Sequence, residues 1–198
     1  MFNKMDNVNN LLERYRNLVL EANKRLNLVS PKDVDNALNR LISESLLPLS
    51  LPDLNLEPPL LDIGSGAGIP AIPLKIARPD WNFTLVESNR RKCSFLRLAA
   101  TTLNLDKVDI INMRLETLIN NALYHHRWGT VTCRGVGKFD EILDAARLLL
   151  KPGGRLVLWK GSSFNPSQYH SALSNWDNCK IWDFEGGVKL VVFTACVS

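Results

Sequence analysis

Apolar residues recur at helical spacing through Leu11, Leu12, Tyr15, Leu18, Val19 and Ala22, which predicts an amphipathic first helix. Leu38, Leu41, Ile42, Ser45 and Leu46 repeat the pattern and predict a second, with Ser30 as its N-cap and Pro31 as its first helical residue. Pro48, Pro52, Pro58 and Pro59 then mark a linker. Beyond it the periodicity changes. Short apolar runs near 60–63, 82–86, 108–112, 130–133 and 154–159 read as buried strands, and helical patterns near 70–77, 89–103, 116–123 and 139–150 separate them. Such alternation predicts a mostly parallel sheet covered on both faces. Pro152-Gly153-Gly154 reads as a turn feeding the fifth strand. Two further β-rich pieces, 179–184 and 188–195, join through Glu185-Gly186-Gly187 as a hairpin. The expected fold is α/β: a doubly wound, mostly parallel seven-stranded sheet with an antiparallel edge. Residues 1–56 form a helical extension and 57–198 the main domain.

Composition narrows the class. A chain of 198 residues that is 45% hydrophobic can build a full core without staples. No apolar run approaches a membrane span, and the N-terminus lacks a secretory apolar region, so no membrane partner is expected. Cys93, Cys133, Cys179 and Cys196 have no C-x-x-C spacing. That points to reduced thiols in the cytoplasm and no metal site. A net charge of +4 suits an RNA partner without indicating one by itself.

The chemistry concentrates after the first strand. Leu60-Leu61-Asp62-Ile63 runs into Gly64-Ser65-Gly66-Ala67-Gly68-Ile69-Pro70 and directly into a helix. Glycines allow a sharp turn and a close approach of backbone to ligand. About twenty residues on, the second strand ends in Glu87, where a carboxylate can accept from ribose hydroxyls. The dinucleotide fingerprint G-x-G-x-x-G fails, because the third glycine comes one residue early and Ile69 stands in its place. No Gly-Lys-Ser/Thr follows, so this is not a P-loop. The Asp-x-Gly-x-Gly-x-Gly spacing instead resembles motif I of Rossmann-like class I S-adenosylmethionine (SAM) methyltransferases. That resemblance implies SAM as cofactor, S-adenosylhomocysteine as product, and a cofactor bed formed by Asp62, Gly64, Gly66, Gly68, Ile69 and Glu87.

Open parallel sheets bind ligands at the carboxyl ends of their strands. After strand three, Leu115 and Glu116 are candidates for the adenine, although Glu116 could simply favour the start of its helix. Strand four ends Thr132-Cys133-Arg134-Gly135. The tetrad of exocyclic-amine methylases is absent, and Asn165-Pro166 lies beyond strand five without its partners. Cys133 as a thiolate nucleophile competes with Cys133 as a small core residue, and its apolar run favours the core. What remains is a cation without an obvious base. This suits an acceptor already nucleophilic when neutral, such as guanine N7, for which alignment matters more than proton removal. Arg134 is therefore the candidate catalytic and cofactor residue; its structural alternative is an ion pair with Asp140 or Glu141. Lys160 is a second cation at this edge. Lys75, Arg90, Arg91, Lys92 and Arg97 form a basic group, read either as RNA contacts or as solvated surface. His125 and His126 read as surface residues.

Taken together, the chain resembles the bacterial small-subunit rRNA methyltransferase G family (RsmG, also called GidB). The resemblance rests on Asn27-Leu28-Val29, the 41–46 segment, Gly68-Ile69-Pro70-Ala71-Ile72-Pro73-Leu74, Arg114-Leu115-Glu116, Arg134, Pro152-Gly153-Gly154 and Lys160-Gly161. It implies SAM-dependent methylation of N7 on one guanine in the 530 loop of 16S rRNA. The partner would be 16S rRNA, the small ribosomal subunit or its assembly intermediate, and the protein is expected to act as a monomer. Cofactor contacts map onto Gly64, Ile69, Leu115, Glu116 and Arg134; the expected RNA contacts are Arg90, Arg91, Lys92, Arg97 and Lys160. Two positions depart from the family pattern. Leu41 and Glu44 stand where it has His and Asp, which puts a role for the second helix in question, and Gly135-Val136-Gly137 follows the arginine in place of alanine-type residues. A small-molecule SAM methyltransferase and a non-catalytic SAM- or RNA-binding protein remain as alternatives.

Overall fold

The computed structural model describes residues 2–29, 33–165 and 175–197. The expected Ser30 cap, Pro31 and Pro166 lie outside them. Two helices come first, α1 (Phe2–Leu26) and α2 (Val34–Ser45), then a 3-10 turn at Leu47–Ser50. Helix α2 is capped by Asp33, whose side chain accepts from the Asn36 N–H, so the cap falls later than expected. The α/β region follows: β1 (Leu60–Ile63), α3 (Ala71–Ala77), β2 (Phe83–Glu87), α4 (Arg90–Thr102), β3 (Val108–Asn112), α5 (Leu115–Ile119), β4 (Trp128–Arg134), α6 (Phe139–Leu149), β5 (Leu150–Gly161), β6 (Asn178–Phe184) and β7 (Val188–Thr194).

The seven strands form one sheet in the order β3-β2-β1-β4-β5-β7-β6. Strands β1 to β5 pair in parallel, while β7 runs antiparallel to both neighbours. This is the Rossmann-like arrangement expected from the alternating pattern. All four β1 residues are buried, as a central strand covered on both faces requires.

Two elements differ from the sequence reading. The helix expected over 116–123 stops at Ile119, and a short 3-10 turn, Ala122–Tyr124, follows. Asn121 separates them, its side chain accepting the Leu123 N–H in competition with the helical bond. The fifth strand starts early because Leu150 already pairs with Trp128; pairing then skips to Thr130 with Arg155, and Pro152-Gly153-Gly154 occupies the irregularity.

The N-terminal helices share the core of the sheet. Tyr15 and Val19 of α1 and Leu38 and Ile42 of α2 pack in one cluster with Leu60, Leu74, Leu85, Leu96 and Trp159. Tyr15 is fully buried, and its hydroxyl donates to the Ala67 carbonyl at 2.7 Å, which ties α1 to the glycine turn.

The strand order reverses between β1 and β4, so the ligand crevice of an open α/β sheet falls at their carboxyl ends. Register sets the neighbours there. Ile63 lies beside Val86 and Cys133, which brings Gly64 next to Glu87 on one side and Arg134 on the other. Arg134 in turn pairs with Trp159 of β5.

Candidate cofactor site at the strand tips

The turn after β1 is held by backbone bonds. Gly64 N–H and Ser65 N–H both donate to the Val86 carbonyl, at 2.8 and 3.1 Å, and Gly68 N–H closes on the Ser65 carbonyl at 2.6 Å. Gly64 adopts φ +67°, a conformation that glycine enters without cost. Glu87 braces the turn through both oxygens. One accepts the Gly66 N–H at 2.9 Å and the other the Asn89 N–H at 2.8 Å. Asn89 then caps α4 by accepting from Arg91 N–H and Lys92 N–H.

Two cavities open above this turn. The larger, about 390 Å³, is bounded by Gly64, Gly66, Ile69, Arg40, Lys92 and Arg134. The smaller, about 170 Å³, is bounded by Gly64, Ser88, Met113, Leu115, Glu116 and Ile142. Val136 lines both, standing directly over Gly64. The larger cavity has three cationic lining residues and no acidic one among the described residues, which suits an anionic group. A third cavity of about 240 Å³ adjoins it across Arg134 and lies against Glu44, Trp159, Lys160 and the Gly186-Gly187 turn.

Arg134 is mostly buried, with 16% of its side chain exposed. Its Nη2 donates to Glu44 Oε2 of α2. The ion-pair partner is thus Glu44, not Asp140 or Glu141, and it lies on the helix whose role the sequence left in question. Desolvation lowers the guanidinium pKa, and Glu44 opposes that shift. Arg134 Nη1 is buried with no acceptor among the described residues. Such an orphan donor costs about 1–3 kcal/mol, and a ligand carboxylate would relieve it. The orphan nitrogen suits the carboxylate of a SAM-type ligand, and the glycine turn leaves room beside it for the rest of such a ligand.

The remaining candidates separate by place. Asp62 and Gly68 line neither cavity. Gly68 is closed in by Ile72 and Leu96, and Asp62 is buried beneath the turn with Oδ1 accepting from Thr132 at 2.7 Å. Glu87 also lines neither and serves as the brace. Lys92 reaches the cavity wall, whereas Arg90 and Arg91 are exposed on the first turn of α4. Arg97 Nη2 donates to the Ile110 carbonyl. The Lys160 ammonium lies 4.9 and 5.4 Å from the ring centroids of Phe139 and Phe164. Lys75 leaves the basic surface group altogether: it is buried, and its Nζ donates to the Pro79 and Trp81 carbonyls at 2.7 and 2.6 Å. Cys133 is a core thiol whose pKa burial, aided by Asp62, pushes up to about 12. His125 and His126 bind the Ile119 and Leu150 carbonyls through ring nitrogens. Among the described residues no group of three or more His, Cys, Asp or Glu could hold a metal, and no helix is long and apolar enough to cross a membrane. Sequence reasoning missed Arg40, Glu44 as a partner of Arg134, and Val136. Arg40 and Glu44 stand at i,i+4 on α2, a visible pair, but the contact to Arg134 spans 90 residues.

Burial, reinforced by the Glu87 charge, raises the Asp62 pKa from 3.8 to about 7, against the hydrogen bonds from Thr132 and Ser65. Between those two values the unfolded chain has released a proton that the folded chain keeps. Stability therefore falls as pH rises from about 4 to 7, and the loss is complete above the folded pKa. Asp62→Asn has no such slope. Its melting temperature relative to the parent should climb between pH 4 and 8 in thermal scans; a constant difference would contradict the assignment.

The family model for rRNA small subunit methyltransferase G matches residues 8–179. Ribosomal RNA small subunit methyltransferase G of Oenococcus oeni is 33% identical over 151 residues, covering 76% of this chain and 62% of that protein. The protein of the same name from Chloroflexus aggregans is 37% identical over 149 residues, covering 75% and 62%. This chain thus spans about three fifths of the length of these relatives. A SAM-dependent O-methyltransferase from Thermotoga maritima shares the fold at TM-score 0.61 and 14% identity, over 85% of this chain and 72% of that one. With the family model matched over most of its length, the chain belongs to the rRNA small subunit methyltransferase G family.

Proposed function

We propose that the protein is a SAM-dependent methyltransferase acting on small-subunit rRNA, and that its target is N7 of a guanine in the 530 loop of 16S rRNA. The observation that carries this reading is the tip of β4. It presents a guanidinium, and the carboxylate beside it, Glu44, is already engaged by that guanidinium. A tip with no free base among the described residues suits an acceptor whose lone pair is available at neutral pH, as that of guanine N7 is.

When bound, SAM supplies an electrophilic methyl group and leaves as S-adenosylhomocysteine. Gly64, Gly66 and Ile69 line the bed for its methionine and ribose portion, Leu115 and Glu116 border the adenine side, and Arg134 Nη1 takes the carboxylate. Glu87 acts by holding the turn in shape. Arg40 and Lys92 stand at the cavity wall, where cations favour an approaching phosphate backbone. Arg90, Arg91, Arg97 and Lys160 are the further RNA contacts. The protein acts in the cytoplasm as a monomer.

Mass mapping of 16S rRNA nucleosides from cells with and without the gene tests the assignment. The expected result is loss of 7-methylguanosine from the 530 loop, restored by the parent gene. An unchanged modification there rules out the N7 target. Absence of labelled methyl transfer from SAM to any small-subunit substrate rules out the enzyme.

A further inference from the structure

We propose that Glu44 is a positioning residue of the cofactor site: from helix α2 it orients the Arg134 guanidinium so that the free nitrogen Nη1 meets the cofactor carboxylate. The inference deepens the reading of Arg134 given above and rests on it.

Glu44 is fixed to the sheet at two points. Its backbone carbonyl accepts the Trp159 indole N–H at 2.7 Å, and its side chain accepts Arg134 Nη2. Trp159 and Arg134 are themselves paired in the β4–β5 register. One turn of α2 is thereby seated across two adjacent strand tips. The other carboxylate oxygen of Glu44, Oε1, lies 3.7 Å from Arg40 Nε. Arg134 side-chain exposure is 16% and that of Glu44 is 11%. A buried ion pair is a weak source of stability, because desolvation cancels much of its Coulomb gain. What it supplies here is orientation. An arginine left free would distribute its guanidinium over many rotamers, at a cost of about 2 kcal/mol in side-chain entropy when a ligand fixes it. Glu44 holds one edge of the planar group, and planarity then sets where the other edge lies. That edge carries the buried nitrogen that has no acceptor among the described residues. Arg134 and Arg40 both line the cofactor cavity and the cavity beside Trp159, so the residues Glu44 touches form the wall between the two.

The test is calorimetric titration with S-adenosylhomocysteine, which needs no turnover. The proteins are the parent, Glu44→Gln, Glu44→Asp, Arg134→Gln and the Glu44→Gln/Arg134→Gln double variant, each checked by thermal melting. Glu44→Gln should weaken binding about tenfold, with Glu44→Asp recovering most of that loss. Arg134→Gln should weaken it further, and the double variant should be no weaker than Arg134→Gln alone. Near-parent binding by a folded Glu44→Gln beside a weakened Arg134→Gln overturns the positioning role, as do additive losses in the double variant. Parent-like binding by Arg134→Gln overturns the cofactor reading itself.

Discussion

Arg134→Ala should weaken SAM binding by roughly 100-fold, as expected for truncating one partner of a buried, hydrogen-bonded charge pair. It should also unfold more easily. Glu44, with 11% of its side chain exposed, would be left without its partner. Removing one half of a buried pair costs about 3–5 kcal/mol, and in a chain of this size each kcal/mol lowers the melting temperature by roughly 2–4 °C. The two losses have different origins and separate in Arg134→Lys. A lysine keeps a charge for Glu44 but has no second nitrogen on a planar fork. Its melting temperature should stay near the parent's while SAM affinity remains reduced by about tenfold. Calorimetry and thermal scans on both variants decide the matter. Parent-like affinity in Arg134→Ala would place the cofactor carboxylate elsewhere.

Gly64→Ala is expected to impair the cofactor bed more than Gly66→Ala, although both glycines sit at positive φ. Forcing a side chain into that region costs about 1–2 kcal/mol at either site. At Gly66 an added Cβ meets only the Gly64 carbonyl oxygen, at 3.8 Å. At Gly64 it falls 2.5 Å from Val136 Cγ2 and 2.8 Å from Cγ1, so Val136 must be displaced from between the two cavities. Gly64→Ala should therefore lose roughly tenfold more SAM affinity than Gly66→Ala. Adding Val136→Gly to Gly64→Ala removes the collision and leaves the backbone strain, so affinity should return to about the Gly66→Ala level. Equal losses in the two single variants would mean that Val136 moves aside freely.

The parts of this molecule legible in its sequence are those governed by neighbours along the chain. The apolar run at 60–63, the glycines and the helix after Pro70 form one local pattern, and the structure reproduces it as β1, turn and α3. The hairpin through Glu185-Gly186-Gly187 was visible for the same reason. Contacts across the chain were not. Lys75 occupies a position that reads as surface, yet two loop carbonyls satisfy its ammonium inside the fold. Tyr15 looks like any apolar position of a helix face, and its hydroxyl turns out to hold the turn 52 residues away. Glu44 stands four residues after Arg40 on the same helix, while its closer partner is the arginine at the tip of β4. The sequence therefore places the glycine turn and Arg134 at the strand tips, but not the bond from α2 to Arg134.

The joining of α1 and α2 to the interior of the sheet constrains how any substrate arrives. A hinged cap can swing only if little apolar area is lost on opening, and Tyr15, Val19, Leu38 and Ile42 are all buried in the common cluster. Lifting these helices would amount to partial unfolding. The mouth of the crevice is consequently framed by helices seated in the core rather than by a detachable cap.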